Sequence, residues 1–294
     1  TGNDVDYNVA VGDMTLYSIT TGDNNTVVGR RAGVTLTTGG DNVLIGYEAG
    51  ENISTATAST LLGYKAGYSN NANSLVAVGK NAGYSNSSAA NNTMVGFSAG
   101  HTTSTGGSNV FVGYQAGYPL NTTHNVVIGN SALGSAESTT NSSVVIGSEA
   151  GYSAGGNPIL IGKQAGYYPH GNYNVAVGEQ ALYGNASTTT AQQNVAVGRR
   201  ALFSAQSAQT TAAIGYQAGY STTTGYSNVF LGHETGYSNT TGAGNTYLGN
   251  QAGFSGSTGN NNIFIGNAAG LKNTSGDNVA IGSEAYLSGS SATQ

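Results

Sequence analysis

The chain has 294 residues, no cysteine, 7% charged side chains and a net charge of −5. That balance leaves no basic surface on which phosphates could be neutralised, which argues against nucleic acid as a partner, and the lack of cysteine excludes disulfides and thiolate metal sites. No apolar run approaches membrane-spanning length and no basic-then-apolar leader stands at Thr1, so no membrane insertion is expected.

In chain order, the stretch Asn8-Val9-Ala10-Val11-Gly12 returns in altered form as far as Asn278-Val279-Ala280-Ile281-Gly282. Its closing glycine recurs at Gly12, Gly29, Gly46, Gly63, Gly79, Gly96, Gly113, Gly129, Gly147, Gly162, Gly178, Gly198, Gly215, Gly232, Gly249, Gly266 and Gly282, most often 17 residues apart. This is an array of 17 units, and one period running end to end predicts a single uninterrupted repeat domain over residues 1–294. High glycine and low charge also describe disordered segments. A disordered chain, however, has no reason to keep Val, Ile or Leu before every one of those glycines.

The residue three before the glycine begins Val9, Thr26, Val43, Thr60 and is β-branched in every unit except at Ala212, while the residue one before it is always Val, Ile or Leu. Two positions of the same parity, both held to strand-forming residues, predict a short strand whose buried face they form. One unit cannot bury that face alone, so copies must stack strand over parallel strand, about 4.8 Å apart. The fold class expected is all-β, a parallel β-solenoid or β-roll of 17 coils with a period of about 17 residues. Helices are excluded because glycine recurs in every unit and the period is two, not 3.6.

The Gly-x-x-Ala segment after each strand reads as a tight turn, with the glycine free to take positive φ and the alanine close to the stacked interior. The next residue is mostly glycine, a corner, and Leu16, Leu133, Leu182, Leu202 and Tyr286 are expected to re-route it. Asparagine stands four before the glycine in unbroken runs at Asn8, Asn25, Asn42 and at Asn228, Asn245, Asn262, Asn278. In a parallel in-register stack such amides can bond one another as a ladder, although asparagine also simply suits a loop-to-strand turn.

The residue two before the glycine alternates with the expected core, so it should point outward, yet it is apolar in every unit. Leu44, Leu61, Met94, Phe111, Leu160, Phe230, Tyr247 and Phe264 are therefore the candidate assembly interface. An apolar stripe of that extent does not stay wet. Its variation in size suits packing against another chain, and a loop of the same chain folding over it is the alternative.

Arg31, Glu48 and Lys65 fall on successive units, which would set opposite charges one strand spacing apart. Tyrosine recurs five after the glycine, at Tyr68, Tyr84, Tyr118, Tyr152, Tyr167, Tyr183, Tyr220 and Tyr237 among others, as a packing column that could also meet sugars. His101, His124, His170 and His233 have no metal-site spacing; a weak calcium contact near Asp4 and Asp6 is the one alternative. No serine or threonine has a fixed base partner, so neither an enzyme nor a cofactor is expected. The nine sequons, at Asn24, Asn52, Asn86, Asn91, Asn121, Asn141, Asn185, Asn239 and Asn273, lie in loops that would permit glycosylation.

The unit Asn-x-Val-x-Ile-Gly-x-x-Ala resembles the head repeats of trimeric autotransporter adhesins, and Asn245-Thr246-Tyr247-Leu248-Gly249-Asn250-Gln251-Ala252-Gly253-Phe254 is similar to repeats in phage and bacterial tail-fibre proteins. The resemblance implies a left-handed parallel β-roll assembled as a trimer, with the apolar stripe covered by the neighbouring chains. The expected function is an extracellular or cell-surface structural fibre that self-assembles as a homo-oligomer, trimer or filament. The alternatives are an adhesin or receptor-binding tail-fibre segment that holds glycans or extracellular matrix, and an ice-binding solenoid, which needs a flat threonine lattice. Entry through Thr1-Gly2-Asn3 and exit through Ser288-Gly289-Ser290-Ser291 read as a segment of a longer array or a protomer that stacks head to tail.

Overall fold

The structure, a computed structural model, describes residues 5–135, 140–168, 171–184 and 190–287; Asp4, His170, the sequon at Asn185 and the exit Ser288–Ser291 lie outside them. The chain forms two compact units, Thr1–Ser143 and Val144–Gln294. Among the described residues the first holds eight three-residue strands, from β1 (Val9–Val11) to β8 (Val126–Ile128), each pairing in parallel with the next. The described residues of the second hold nine, from β9 (Val144–Ile146) to β17 (Val279–Ile281), paired the same way. Each repeat contributes one strand and no described residue is helical, so both units are β-solenoids. The register keeps equivalent positions together: Val43 lies opposite Thr60, Leu44 opposite Leu61 and Ile45 opposite Leu62.

The two faces of the strands are the reverse of the expectation. Leu44, Leu61, Met94, Phe111, Leu160, Phe230, Tyr247 and Phe264 are all buried within the single chain, with exposures of 0 or 1%. They form the inner lane of the core and are not an outward interface. The residues three and one before the glycine face out and stay half-buried or exposed. The physical reason is that β-branching reports strand propensity, which a solvent-facing pleat rewards as much as a core does. Size variation in the other lane reports a closed interior being filled to constant density.

That filling follows a rule visible in the corner residues. Where the inner-lane residue is large, the fourth residue after the glycine is glycine, because a side chain there would collide with it. A Cβ on Gly117 would lie 2.9 Å from Phe111 Cδ1, and one on Gly166 2.7 Å from Leu160 Cδ2. Where the inner-lane residue is Ala176, Ala196 or Val127, the corner is Leu182, Leu202 or Leu133, each fully buried. These leucines keep the left-handed backbone of the glycines they replace, at φ of 49°, 50° and 47°. They fill the corner instead of re-routing it, and the interior space they occupy offsets a left-handed strain of about 1–2 kcal/mol.

The repeat glycine is required by close approach. Gly46 takes φ of +139°, and a Cβ on it would sit 2.3 Å from the carbonyl oxygen of Gly63 in the next coil. The turn closes when the Ala49 N–H donates to the Gly46 carbonyl at 3.3 Å, which brings Ala49 fully inside. Small residues at both points let successive coils approach to strand spacing.

Candidate functional site: an exposed aliphatic strip

Because the inner lane is inside, two other lanes reach the surface. Leu62 is 44% exposed, Ile159 42% and Leu231 43%. Parallel pairing stacks such residues, so each unit carries a strip two lanes wide, the lanes about 6.6 Å apart at 3.3 Å per residue along the strand. Within the strip only Thr26, Thr60, Thr93 and Thr246 carry a hydroxyl, and the rest are aliphatic.

The residue after the repeat glycine borders the strip. Tyr47 stacks on Tyr64 at 5.4 Å between ring centroids, Phe97 on Tyr114 at 5.2 Å, and Tyr216 on His233 at 5.1 Å. Cations cover several of these rings: Arg30 lies 5.8 Å from Tyr47, Lys80 5.5 Å from Tyr64 and Arg199 6.0 Å from Tyr216. Arg30 also pairs with Asp13 at 3.4 Å and Arg199 with Glu179 at 3.1 Å, so the margin is charged where the strip is not.

The asparagines lock one coil onto the next behind this surface. Asn25 Nδ2 donates to Asn8 Oδ1 at 2.9 Å and Asn42 Nδ2 to Asn25 Oδ1 at 3.0 Å. Asn245 bonds Asn228 at 3.1 Å, Asn262 bonds Asn245 at 3.1 Å, and Asn278 bonds Asn262 at 2.9 Å. Each acceptor oxygen also takes the backbone N–H of the next asparagine, as Asn8 does from Asn25 at 2.8 Å. The second Nδ2 proton reaches a loop carbonyl, Gly259 for Asn245 at 2.9 Å. The amide therefore ties strand, loop and next coil, and its burial is matched by bonds.

The tyrosine lane is a column of parallel rings. In the first unit Tyr68, Tyr84, His101 and Tyr118 succeed one another at 4.8, 4.9 and 4.9 Å. In the second, Tyr152, Tyr167, Tyr183, Phe203, Tyr220, Tyr237 and Phe254 continue at 5.0 to 5.3 Å. Ring faces are thus spent on one another, which leaves edges and hydroxyls outward. Burial holds His101 below the usual imidazole range and Tyr167, Tyr183 and Tyr237 above the usual phenol range. In the inner lane, burial pushes the Tyr247 phenol up more strongly.

Of the three charges on successive units, Lys65 pairs with Glu48 at 3.1 Å, while Arg31 pairs with Glu51 instead. Burial raises the Glu48 carboxyl, but bonds from the Tyr47 hydroxyl and Lys65 outweigh it and leave the group below the usual range. Among the described residues no group of three His, Asp or Glu could hold a metal ion. Three sequon asparagines, Asn86, Asn239 and Asn273, are buried inside the coil at 0 or 1% exposure, which bars glycosylation of the folded chain there. The strip itself was hidden in the sequence only by the sign of the alternation, and the pairing of small inner residues with corner leucines is the signal that reveals that sign. No family model matches the chain, and no curated protein matches it.

Proposed function

We propose that the protein is an extracellular structural fibre component whose copies associate, as a trimer or filament, through the aliphatic strip. The observation that carries this is the exposure of two stacked aliphatic lanes in each unit, since apolar surface of that continuity marks an interaction site. The resemblance of the repeats to adhesin heads and tail fibres agrees with a homo-oligomer. Threonine at only four strip positions supports packing against an apolar surface over a hydroxyl lattice for ice.

Fully burying a Leu or Ile is worth about 1.5–3 kcal/mol, so a residue with two-fifths of its surface left contributes roughly 0.6–1.2 kcal/mol at an interface. Replacing Leu62, Ile128, Ile161 and Leu231 by Ser should then remove roughly 2.4–4.8 kcal/mol per chain and weaken association by about 50- to 3,000-fold. Mass measured over a dilution series reads this, with far-ultraviolet circular dichroism confirming that the coils persist. An assembly that survives dilution as the unsubstituted protein does would refute the strip as the interface.

A further inference from the structure

A cleft of about 450 Å³ opens on the first unit, lined by Tyr64, Lys65, Lys80, Asn81, Tyr84 and His101. Its size falls in the range of roughly 300–1,000 Å³ usual for small-ligand sites. The wall belongs to the margin and the tyrosine column, not to the aliphatic strip.

The commitments of the lining residues define what could enter. Lys65 is paired with Glu48 at 3.1 Å. Lys80 makes no ion pair among the described residues; its ammonium lies 5.5 Å from the Tyr64 ring and 5.7 Å from the Phe97 ring. Asn81 Oδ1 and His101 Nδ1 are buried and have no hydrogen-bond partner, so only a flip of the amide or the ring would bring them to a ligand, and that flip breaks no bond at those atoms. The rings offer no open face: Tyr84 is sandwiched between Tyr68 and His101 at 4.8 and 4.9 Å, and Tyr64 lies between Tyr47 and Lys80. A planar base or aromatic ligand would find nothing to stack on. What remains is one ammonium without an ion pair, in a cleft also lined by two tyrosines, an amide and an imidazole, a set that suits a hydroxylated, non-aromatic anion.

We propose that this cleft binds an acidic saccharide, the Lys80 ammonium meeting its anionic group and Tyr64, Asn81 and Tyr84 hydrogen-bonding its hydroxyls. The second unit offers no equivalent among its arginines: Arg199 is tied to Glu179 at 3.1 Å and Arg200 to Gln180 at 2.9 Å. The site is open to solvent, so binding is weak and falls with added salt.

Equilibrium dialysis of the full chain against labelled glucuronate, glucose 6-sulfate and glucose tests this and works whether or not the chains assemble. Saturable binding of glucuronate, of the sulfate or of both is expected, and the pattern tells whether a carboxylate or a sulfate is held. Glucose should bind at least about tenfold more weakly, since it lacks the charge-assisted bond. Lys80→Gln should lose about tenfold in affinity for the anionic sugars, Tyr64→Phe should weaken all three ligands while keeping the ring stack, and Lys163→Gln should change nothing. The proposal is overturned if no sugar binds saturably, if glucose binds as well as the acids, or if Lys80→Gln behaves like Lys163→Gln.

Discussion

Phe111 and Gly117 provide the sharpest test of the inside-out assignment, because they share one space. Phe111 is fully buried, and its ring would lie 2.9 Å from a Cβ on Gly117 and 2.9 Å from one on Gly100. Phe111→Ala alone should cost about 3–5 kcal/mol through lost transfer energy and a cavity. Gly117→Leu alone should cost roughly 2–5 kcal/mol, from left-handed strain of about 1–2 kcal/mol and overpacking of about 1–3 kcal/mol. Together the two changes reproduce the arrangement of Ala196 with Leu202, in which leucine holds φ of 50° and is fully buried.

The double variant should therefore be destabilised by only about 1–3 kcal/mol, a favourable coupling of at least about 2 kcal/mol. Urea unfolding followed by circular dichroism gives the midpoints. Amide exchange over residues 94–133 localises the change, since repeat arrays can leave two-state behaviour. A double variant as unstable as the sum of the singles would refute the shared space. A Phe111→Ala protein of normal stability but weakened association would restore the outward reading of that lane.

Asn245→Ala should cost about 2–6 kcal/mol, since it strips the partner from the Asn262 N–H at 2.9 Å and from the Gly259 carbonyl at 2.9 Å, both deep in the stack. Asn245→Asp should be worse, because it sets a carboxylate oxygen against Asn228 Oδ1; chemical denaturation of both variants checks the order, and an Asp variant as stable as the parent would dismiss the ladder as a structural tie. Burial raises the Tyr247 phenol above its unfolded value of 10.0. Its contribution is thus complete below that pH and lost as pH climbs beyond it, at up to about 1.4 kcal/mol per pH unit. Tyr247→Phe should accordingly lose less stability than the parent between about pH 9 and 11, and parallel losses in urea midpoint would contradict this.

The coil count and strand positions were legible because the repeat glycine cannot carry a side chain: at Gly46 a Cβ would strike the Gly63 carbonyl at 2.3 Å. Parity was legible as well, but not its sign, because Val and Ile at alternate positions satisfy strand propensity on either face. The sign lay in pairs six residues apart, Val127 with Leu133, Ala176 with Leu182 and Ala196 with Leu202, where a small inner residue accompanies a large corner. The cleft was less accessible still, since Tyr64 and Lys80 become neighbours only once one coil is laid on the next.

With the sign known, the outer lanes pose a question that propensity alone does not answer. Threonine is β-branched, serves a solvent-facing strand as well as valine does and is at ease in water. The chain accepts it at Thr26, Thr60, Thr93 and Thr246, so the lane three before the repeat glycine tolerates a hydroxyl, whereas the lane one before it carries none. Everywhere else it keeps Val, Ile, Leu or Ala, and residues such as Leu62 and Leu231 hold over two-fifths of their surface in solvent. The proposed self-association would take both lanes out of water, the one that is aliphatic throughout and the one that is aliphatic at all but four positions. That is why the strip, and not the buried phenylalanines, is the surface on which assembly should be sought.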